Sequence, residues 1–359
     1  MNKFYHEAIN SKVIFQNSLI AWFKKNKRDL PWRDKSDKRN YPYRIMVSEF
    51  MLQQTTVKTV IPYFNKFIDK WNNIESLSKA SEDELLMYWQ GLGYYSRARN
   101  LLKTSIIISR EFDGIIPRDR KELIKLPGIG DYASAAILAI AYNKASVVID
   151  GNIKRVISRY LGLRGTLETN KKIIKDAASL LSVRKNNENY SQALMELGAL
   201  VCRPKSPLCN LCPATKLCIS FKLKIQNSVP EIKKSIKKKK LFCSSILAVE
   251  DNKKILLQKR VSRILKDQWE LPSAEWEEKE AKEIFKLFPS TQLKLKKSKE
   301  LYKHIFSHIE LRTRVYYINI KSSHIKINNT KLKWVSLDKL SNYPTTLICR
   351  NILKDYGLI

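Results

Sequence analysis

The chain of 359 residues carries 67 Lys plus Arg against 34 Asp plus Glu, a formal charge of +33. That length exceeds what one core usually holds, so two domains are expected, and the charge favours a polyanionic partner, nucleic acid ahead of a membrane surface. The amino terminus, MNKFYHEAINSKVIFQ, has no continuous apolar core like that of a secretory leader. The longest apolar run, Tyr132–Tyr142, falls far short of the roughly 18–20 residues that cross a bilayer. A soluble intracellular protein is expected. Lys, Ile and Asn are abundant throughout, so charge supports a nucleic-acid partner without establishing one.

In chain order, the pattern is helical up to about Phe221, with apolar residues three and four apart and Gly, Pro and Asn at the breaks. Val47, Phe50, Met51, Gln54, Val57, Val60 and Ile61 trace one face. Glu49 stands off that stripe, free to face a cleft. An isolated helix glutamate is more often simply solvated. The run Glu122–Leu126 then stops at Pro127, Gly128 and Gly130, and the Ala-rich run Ala133–Ala141 begins a second helix. A helix-hairpin-helix is expected. Its glycines allow close backbone approach, and the first N–H groups of the following helix attract an anion such as a DNA phosphate. Asp150 precedes Gly151 and opens the amphipathic run Ile153, Val156, Ile157, Tyr160 and Leu161, where an N-cap alone would explain it.

Four of the six cysteines follow the spacing Cys202-x6-Cys209-x2-Cys212-x5-Cys218 on a Pro-rich loop, while Cys243 and Cys349 stand apart. Clustered thiolates in an intracellular chain point to metal rather than disulfides, and four of them suit either zinc or an iron–sulfur cluster. Arg203, Lys205 and Lys216 beside them could reach phosphates. Residues 222–240 hold eight Lys against Glu231, with Pro230 in the middle and no apolar period, and are expected to be a basic linker. Beyond it the period shortens: Leu241–Val249, Lys254–Gln258, Arg312–Ile320 and Leu332–Val335 read as strands of an α+β domain at 241–359.

Two carboxyls in different environments can supply a proton to a leaving group and a negative charge beside a developing cation. The segments Leu30–Trp32, Ser48–Thr55 (SEFMLQQT), Gly91–Leu101 (GLGYYSRARNL), Leu126–Gly130 (LPGIG) and Ile149–Asn152 (IDGN), with the cysteine loop, occur together in one order. In that order they resemble the MutY-type adenine DNA glycosylases of the endonuclease III superfamily across essentially the whole chain.

The resemblance implies a mostly α catalytic region at 1–221, a six-helix bundle plus an iron–sulfur domain, followed by a MutT-like lesion-recognition domain. It also implies a [4Fe-4S] cluster on the four cysteines, with a structural and DNA-positioning role, and a monomer acting on duplex DNA with adenine opposite 8-oxoguanine or guanine. Glu49 would protonate adenine at N7 and Asp150 would stabilise the sugar cation. Leu52, Gln53, Gln54, Thr55 and Tyr94 would invade the duplex. Gly128, Gly130 and Lys154 would meet the backbone. Trp32, Arg33 and Gln192 would line the adenine pocket, although Asp34–Tyr43 is longer than the usual spacer. Phe306, Ser307 and His308 would read the oxidised base.

Two departures matter. Tyr132 stands where bifunctional relatives carry a Schiff-base lysine, so base excision without strand cleavage is expected. Segment 260–272, RVSRILKDQWELP, lacks the glycines usual there, which weakens the expected lesion discrimination, and no acidic Nudix box follows, so pyrophosphate hydrolysis is not expected. A bifunctional glycosylase and lyase, and a non-catalytic iron–sulfur DNA-binding protein, are the alternatives.

Overall fold

The computed structural model describes residues 3–232, 238–251, 253–262, 264–280, 295–306, 308–324 and 331–359. Contacts divide the chain into a unit of Met1–Ala80 with Ser96–Lys234 and a unit of Ser81–Tyr95 with Ser235–Ile359.

The first unit is helical: α1 (Lys3–Asn10), α2 (Lys12–Asn26), α3 (Tyr41–Leu52), α4 (Val57–Lys70) and α5 (Ile74–Ser78) precede α7 (Ser96–Glu111), α8 (Arg120–Lys125), α9 (Asp131–Tyr142), α10 (Gly151–Tyr160), α11 (Lys171–Leu180), α12 (Asn187–Glu196) and α13 (Ile219–Lys222). Helix α9 is buried along its whole length from Ala133 to Ile140 and packs against α3 and α12. Its alanines make such close neighbours possible, and a helix apolar all round belongs at the centre of a bundle. It ends on Asn143, whose left-handed φ of 51° stops the helix. Capping sets other boundaries: Thr56 opens α4 by accepting from the Thr59 N–H, and Asp150 opens α10 by accepting from Ile153 N–H at 2.6 Å.

The folded part of this unit runs beyond Phe221, where the sequence suggested a linker. Lys222 closes α13, Val229 is 2% exposed, and Glu231 N–H donates to Gly165 O at 2.9 Å. Arg159 contributes as well: its Nε donates to Val229 O at 2.7 Å, within a stretch that has no apolar period of its own. Residues 233–237 of the expected linker lie outside the described residues.

The second unit contains α6 (Glu82–Tyr88), β1 (Lys239–Glu250), β2 (Lys254–Lys259), β3 (Trp269–Glu270), β4 (Lys296–Lys297), β5 (Tyr302–Ile305), β6 (Ile309–Asn319), β7 (Leu332–Ser336) and α14 (Leu347–Asp355). Strand order is β3-β2-β1-β6-β4, with β5 also on β6 and β7 on β2. The long pair β1–β6 is parallel, from Lys239↔Ile309 to Val249↔Asn319. Cys243 and Cys349 are core residues here, packed with Leu247, Val315 and Leu353. In the glycine-poor segment, Leu265 and Asp267 take left-handed φ of 61° and 63°. Side chains stand where glycine would be unstrained, at about 1 kcal/mol each.

Candidate active site

Glu49 lies in the last turns of α3 and is 4% exposed. Its Oε2 is buried without a hydrogen-bond partner. Burial pushes its pKa up to about 7; the Tyr132 hydroxyl pulls it down, and the charge of Asp150 raises it further. Those mutual effects place Tyr132, from the first turn of α9, and Asp150, the N-cap of α10, beside Glu49. Three residues far apart in sequence therefore meet in one place.

The two carboxyls differ. Asp150 is also raised by burial, but Ile153 N–H reaches Oδ1 at 2.6 Å, Asn152 Nδ2 reaches Oδ2 at 3.1 Å, and the Arg155 charge acts in the same lowering direction. Both Asp150 oxygens are served as a carboxylate's would be, whereas Glu49 keeps one oxygen unserved. One group suits giving a proton, the other suits staying ionised. Asn152 is itself held: Arg155 donates to its Oδ1 at 2.8 Å and to Gly198 O at 2.7 Å. A side chain on Gly198 would meet Asn152 Cβ at 2.6 Å, so only glycine fits there.

The hairpin joins α8 to α9. Gly128, at φ 80°, leaves room for Phe50 and Asn100, whose atoms would lie 2.7 and 2.8 Å from an added Cβ. Gly130 faces open space and caps α9 with no side-chain bond, which leaves first-turn N–H groups for an anion. Asp131 enters that first turn and pairs with Arg120 at 2.7 Å, both exposed. Lys154 is half-buried on α10.

Leu52–Thr55 follows Glu49 directly, with Gln54 at φ 60°. Arg97, unforeseen from sequence, organises it. Its guanidinium is 6% exposed and donates to Phe50 O at 3.1 Å, Met51 O at 2.7 Å, Gln53 O and Thr55 Oγ1. The carbonyls at the end of α3 lack helical partners, and one cation serves them. Tyr94, at φ 48° and 45% exposed, sits in the second unit.

The four cysteines line one cavity of about 310 Å³, counted with its space open to solvent, together with Arg159, Val201, Pro207, Thr215, Phe221 and Gln226. Burial pushes the Cys212 thiol to about 11 and the Cys218 thiol to about 12. Arg159 donates to Cys202 Sγ at 3.4 Å, Arg203 O at 2.6 Å and Pro204 O at 2.9 Å, and Arg155 to Cys202 O at 2.8 Å. Four soft donors around one cavity, with a guanidinium on a sulfur, are a donor set that suits either zinc or an iron–sulfur cluster. Neither arginine was singled out in the sequence: both stand off the apolar stripe of α10 and read there as solvated charge.

Residues 47–182 match the HhH-GPD superfamily base excision DNA repair protein and residues 245–355 the NUDIX domain. Over 332 residues the chain is 34% identical to the adenine DNA glycosylase of Buchnera aphidicola subsp. Baizongia pistaciae, covering 91% of this chain and 92% of that one. The chain belongs to the adenine DNA glycosylases. The corresponding enzyme of Mus musculus is 30% identical over 402 residues, covering 95% and 78% of the two chains. Among solved structures, a thermostable thymine-DNA glycosylase matches with a TM-score of 0.52 at 29% identity, over 60% of this chain and 98% of that one. The chain is thus a DNA glycosylase, a hydrolase of N-glycosyl bonds, with a helix-hairpin-helix fold and a Nudix-like carboxy-terminal domain.

In this glycosylase Arg33 donates to Gln192 Oε1 at 2.6 Å and to Glu196 Oε1 at 2.8 Å, and Arg28 takes Glu196 Oε2 at 2.8 Å. Trp32 is 5% exposed and packs edge-on to Phe64. Arg33 and Gln192, expected together, are therefore neighbours, and Glu196, which the sequence reading did not single out, ion-pairs with both Arg28 and Arg33. The spacing Glu188, Gln192, Glu196 along one face of α12 could have revealed it. Of the tripeptide expected to read the opposite base, Phe306 packs into the second unit's core against Trp276 and His304, His308 is exposed, and Ser307 lies outside the described residues. Arg260, from the segment short of glycines, stacks on Trp276 at 4.2 Å and pairs with Glu270 at 2.8 Å. Among the described residues no helix is long and apolar enough to cross a membrane.

Proposed function

We propose that this glycosylase excises adenine opposite 8-oxoguanine or guanine in duplex DNA, without cleaving the strand. The observation that carries the reading is Glu49: a carboxyl with one unserved buried oxygen and a pKa near 7, beside a second carboxyl that is fully hydrogen-bonded. With the base turned out of the stack, Glu49 gives its proton to adenine N7. The C1′–N9 bond breaks, and Asp150 faces the cation that forms at C1′. Water adds at C1′ and gives its proton to the Glu49 carboxylate, which restores the acid, and the neutral base leaves. Tyr132 has no amine, so no Schiff base forms at that position. Lys154, half-buried one turn into α10, serves as a phosphate contact.

Gly128, Gly130 and the first turn of α9 hold a phosphate of the strand, and Leu52–Thr55 with Tyr94 fill the gap left by the extruded base. Arg33 and Gln192 recognise the adenine edge, with Glu196 holding Arg33 in place and Trp32 packed behind. Cys202, Cys209, Cys212 and Cys218 hold a [4Fe-4S] cluster, which supplies structure and DNA positioning when bound rather than excision chemistry. Residues 241–359 with Ser307 and His308 read the opposite base, and Phe306 anchors that turn. The protein acts as a monomer in the nucleoid.

One assay tests this. Duplexes with adenine opposite 8-oxoguanine or guanine should be cut only after alkali, and a duplex with an oxidised pyrimidine should stay intact. Direct nicking of the pyrimidine duplex would establish the lyase reading, and binding without turnover the non-catalytic one.

A further inference from the structure

The turn that bears Tyr94 is displaced from its sequence neighbours. Ala80 before it and Ser96 after it belong to the helical unit, yet Ser81–Tyr95 folds with the carboxy-terminal sheet. Three side chains fasten it there. Gln90 Nε2 donates to Thr345 O at 3.1 Å and to Thr345 Oγ1 at 2.9 Å. Arg350 Nε donates to the same Oγ1 at 2.9 Å, and Arg350 Nη2 donates to Gln90 Oε1 at 2.9 Å. The result is a closed ring in which each side chain bonds the other two.

Thr345 is a firm anchor. It is 1% exposed, it bridges to Trp269, and the next residue, Thr346, caps α14 by accepting from the Cys349 N–H. On the other side the ring meets the turn directly: Leu92 N–H donates to Trp89 O at 3.0 Å, Trp89 Nε1 to Gly93 O at 3.2 Å, and Gly91 N–H reaches the Tyr95 hydroxyl at 3.4 Å. Gly91 and Gly93 at φ 103° and 69° allow the tight bend that ends on Tyr94 at φ 48°. A tyrosine adopts that backbone only where its surroundings impose it.

We propose that Gln90 and Arg350 are positioning residues for opposing-base specificity: their ring with Thr345 makes the Tyr94 turn a part of the carboxy-terminal unit, so that Tyr94 and the lesion-reading residues approach DNA as one body. The inference rests on the proposed function, in which Tyr94 enters the duplex and the carboxy-terminal unit reads the opposite base. A loosened ring frees the turn from that unit and uncouples base reading from insertion.

The test uses full-length, cluster-loaded protein. Single-turnover excision is measured on duplexes with adenine opposite 8-oxoguanine and opposite guanine, together with thermal melting. In Gln90→Ala and Arg350→Ala the preference for 8-oxoguanine should fall about tenfold, as loss of two or three hydrogen bonds allows, with the guanine duplex changed less than twofold. The double variant should match either single one, because both act through one ring. Arg350→Lys, which keeps one donor, should retain part of the preference and covers the case in which Arg350→Ala fails to fold. An unchanged preference in Gln90→Ala and Arg350→Lys, or an equal fall on both duplexes, overturns the inference while leaving the proposed function intact. A wild-type enzyme inactive on both duplexes overturns the proposed function and this inference with it.

Discussion

Replacing Glu49 by Gln should stabilise the protein and abolish its chemistry together. A carboxyl that ionises near 7 when folded and near 4.5 when exposed penalises the fold by about 3 kcal/mol once both forms are ionised. The sign follows from the order of ionisation. As pH rises through 4.5 the unfolded chain loses its proton first, so stability drains away between 4.5 and 7 and the full penalty holds above 7. Gln occupies the same volume and never ionises. The stability difference between Glu49→Gln and wild type should therefore grow by about 3 kcal/mol between pH 4.5 and pH 8, a melting-temperature gap of roughly 6–12 °C for a unit of this size. Excision, assayed with alkali, should fall by at least the roughly 10²–10⁴ that a positioned general acid contributes. A stability difference that is constant with pH would refute a buried, late-ionising Glu49. Retained excision would refute its role as acid.

Other substitutions probe the surroundings of Glu49 and the cysteine loop. Tyr132→Phe removes the hydroxyl that lowers the Glu49 pKa, so the alkaline fall in kcat should move from near 7 to higher pH; a profile that stays put or moves down contradicts the contact. Wild-type enzyme treated with borohydride on substrate DNA should give no covalent complex, and a trapped one would implicate an amine such as that of Lys154. Gly128→Ala should destabilise by about 1–3 kcal/mol, since its Cβ would lie 2.7 Å from Phe50 Cε1 at a φ of 80°, whereas Gly130→Ala should leave melting unchanged and weaken DNA binding only. Equal melting temperatures for the two variants would count against that distinction. Arg159→Ala strands the carbonyls of Val229, Arg203 and Pro204 and should lower iron per protein and melting temperature together; full iron content would show that the loop holds without it.

Local signals in the sequence reached far into the fold. Gly and Pro marked the hairpin to within a few residues of α8 and α9, and Asp150 was legible as a cap because an Asp before an amphipathic run needs only local geometry. Strands β1, β2, β6 and β7 came within a few residues of their expected bounds for the same reason. The lower boundary of the linker was not legible. Residues 222–232 carry no apolar period, and what orders them comes from far away in the chain: Arg159 on the Val229 carbonyl, and Gly165, which exchanges hydrogen bonds with Glu231. Clamping arginines were missed as a class: Arg97, Arg155 and Arg159 read as surface charge in a chain with 67 basic residues, and only the fold tells a clamp from a solvated side chain.

By itself, then, the sequence determined which chemical groups were present and what local structure each belonged to: carboxyls, four spaced thiols, a hairpin, two periodicities. Tertiary structure alone decided their environments. The proximity of Glu49, Tyr132 and Asp150, and the raised pKa of Glu49, arise from desolvation and from charges brought together by packing of α3 on α9 and of α9 and α10 on α12. The assignment of the Tyr94 turn to the carboxy-terminal unit has the same origin, because hydrogen bonds between residues 90, 345 and 350 leave no trace in local pattern.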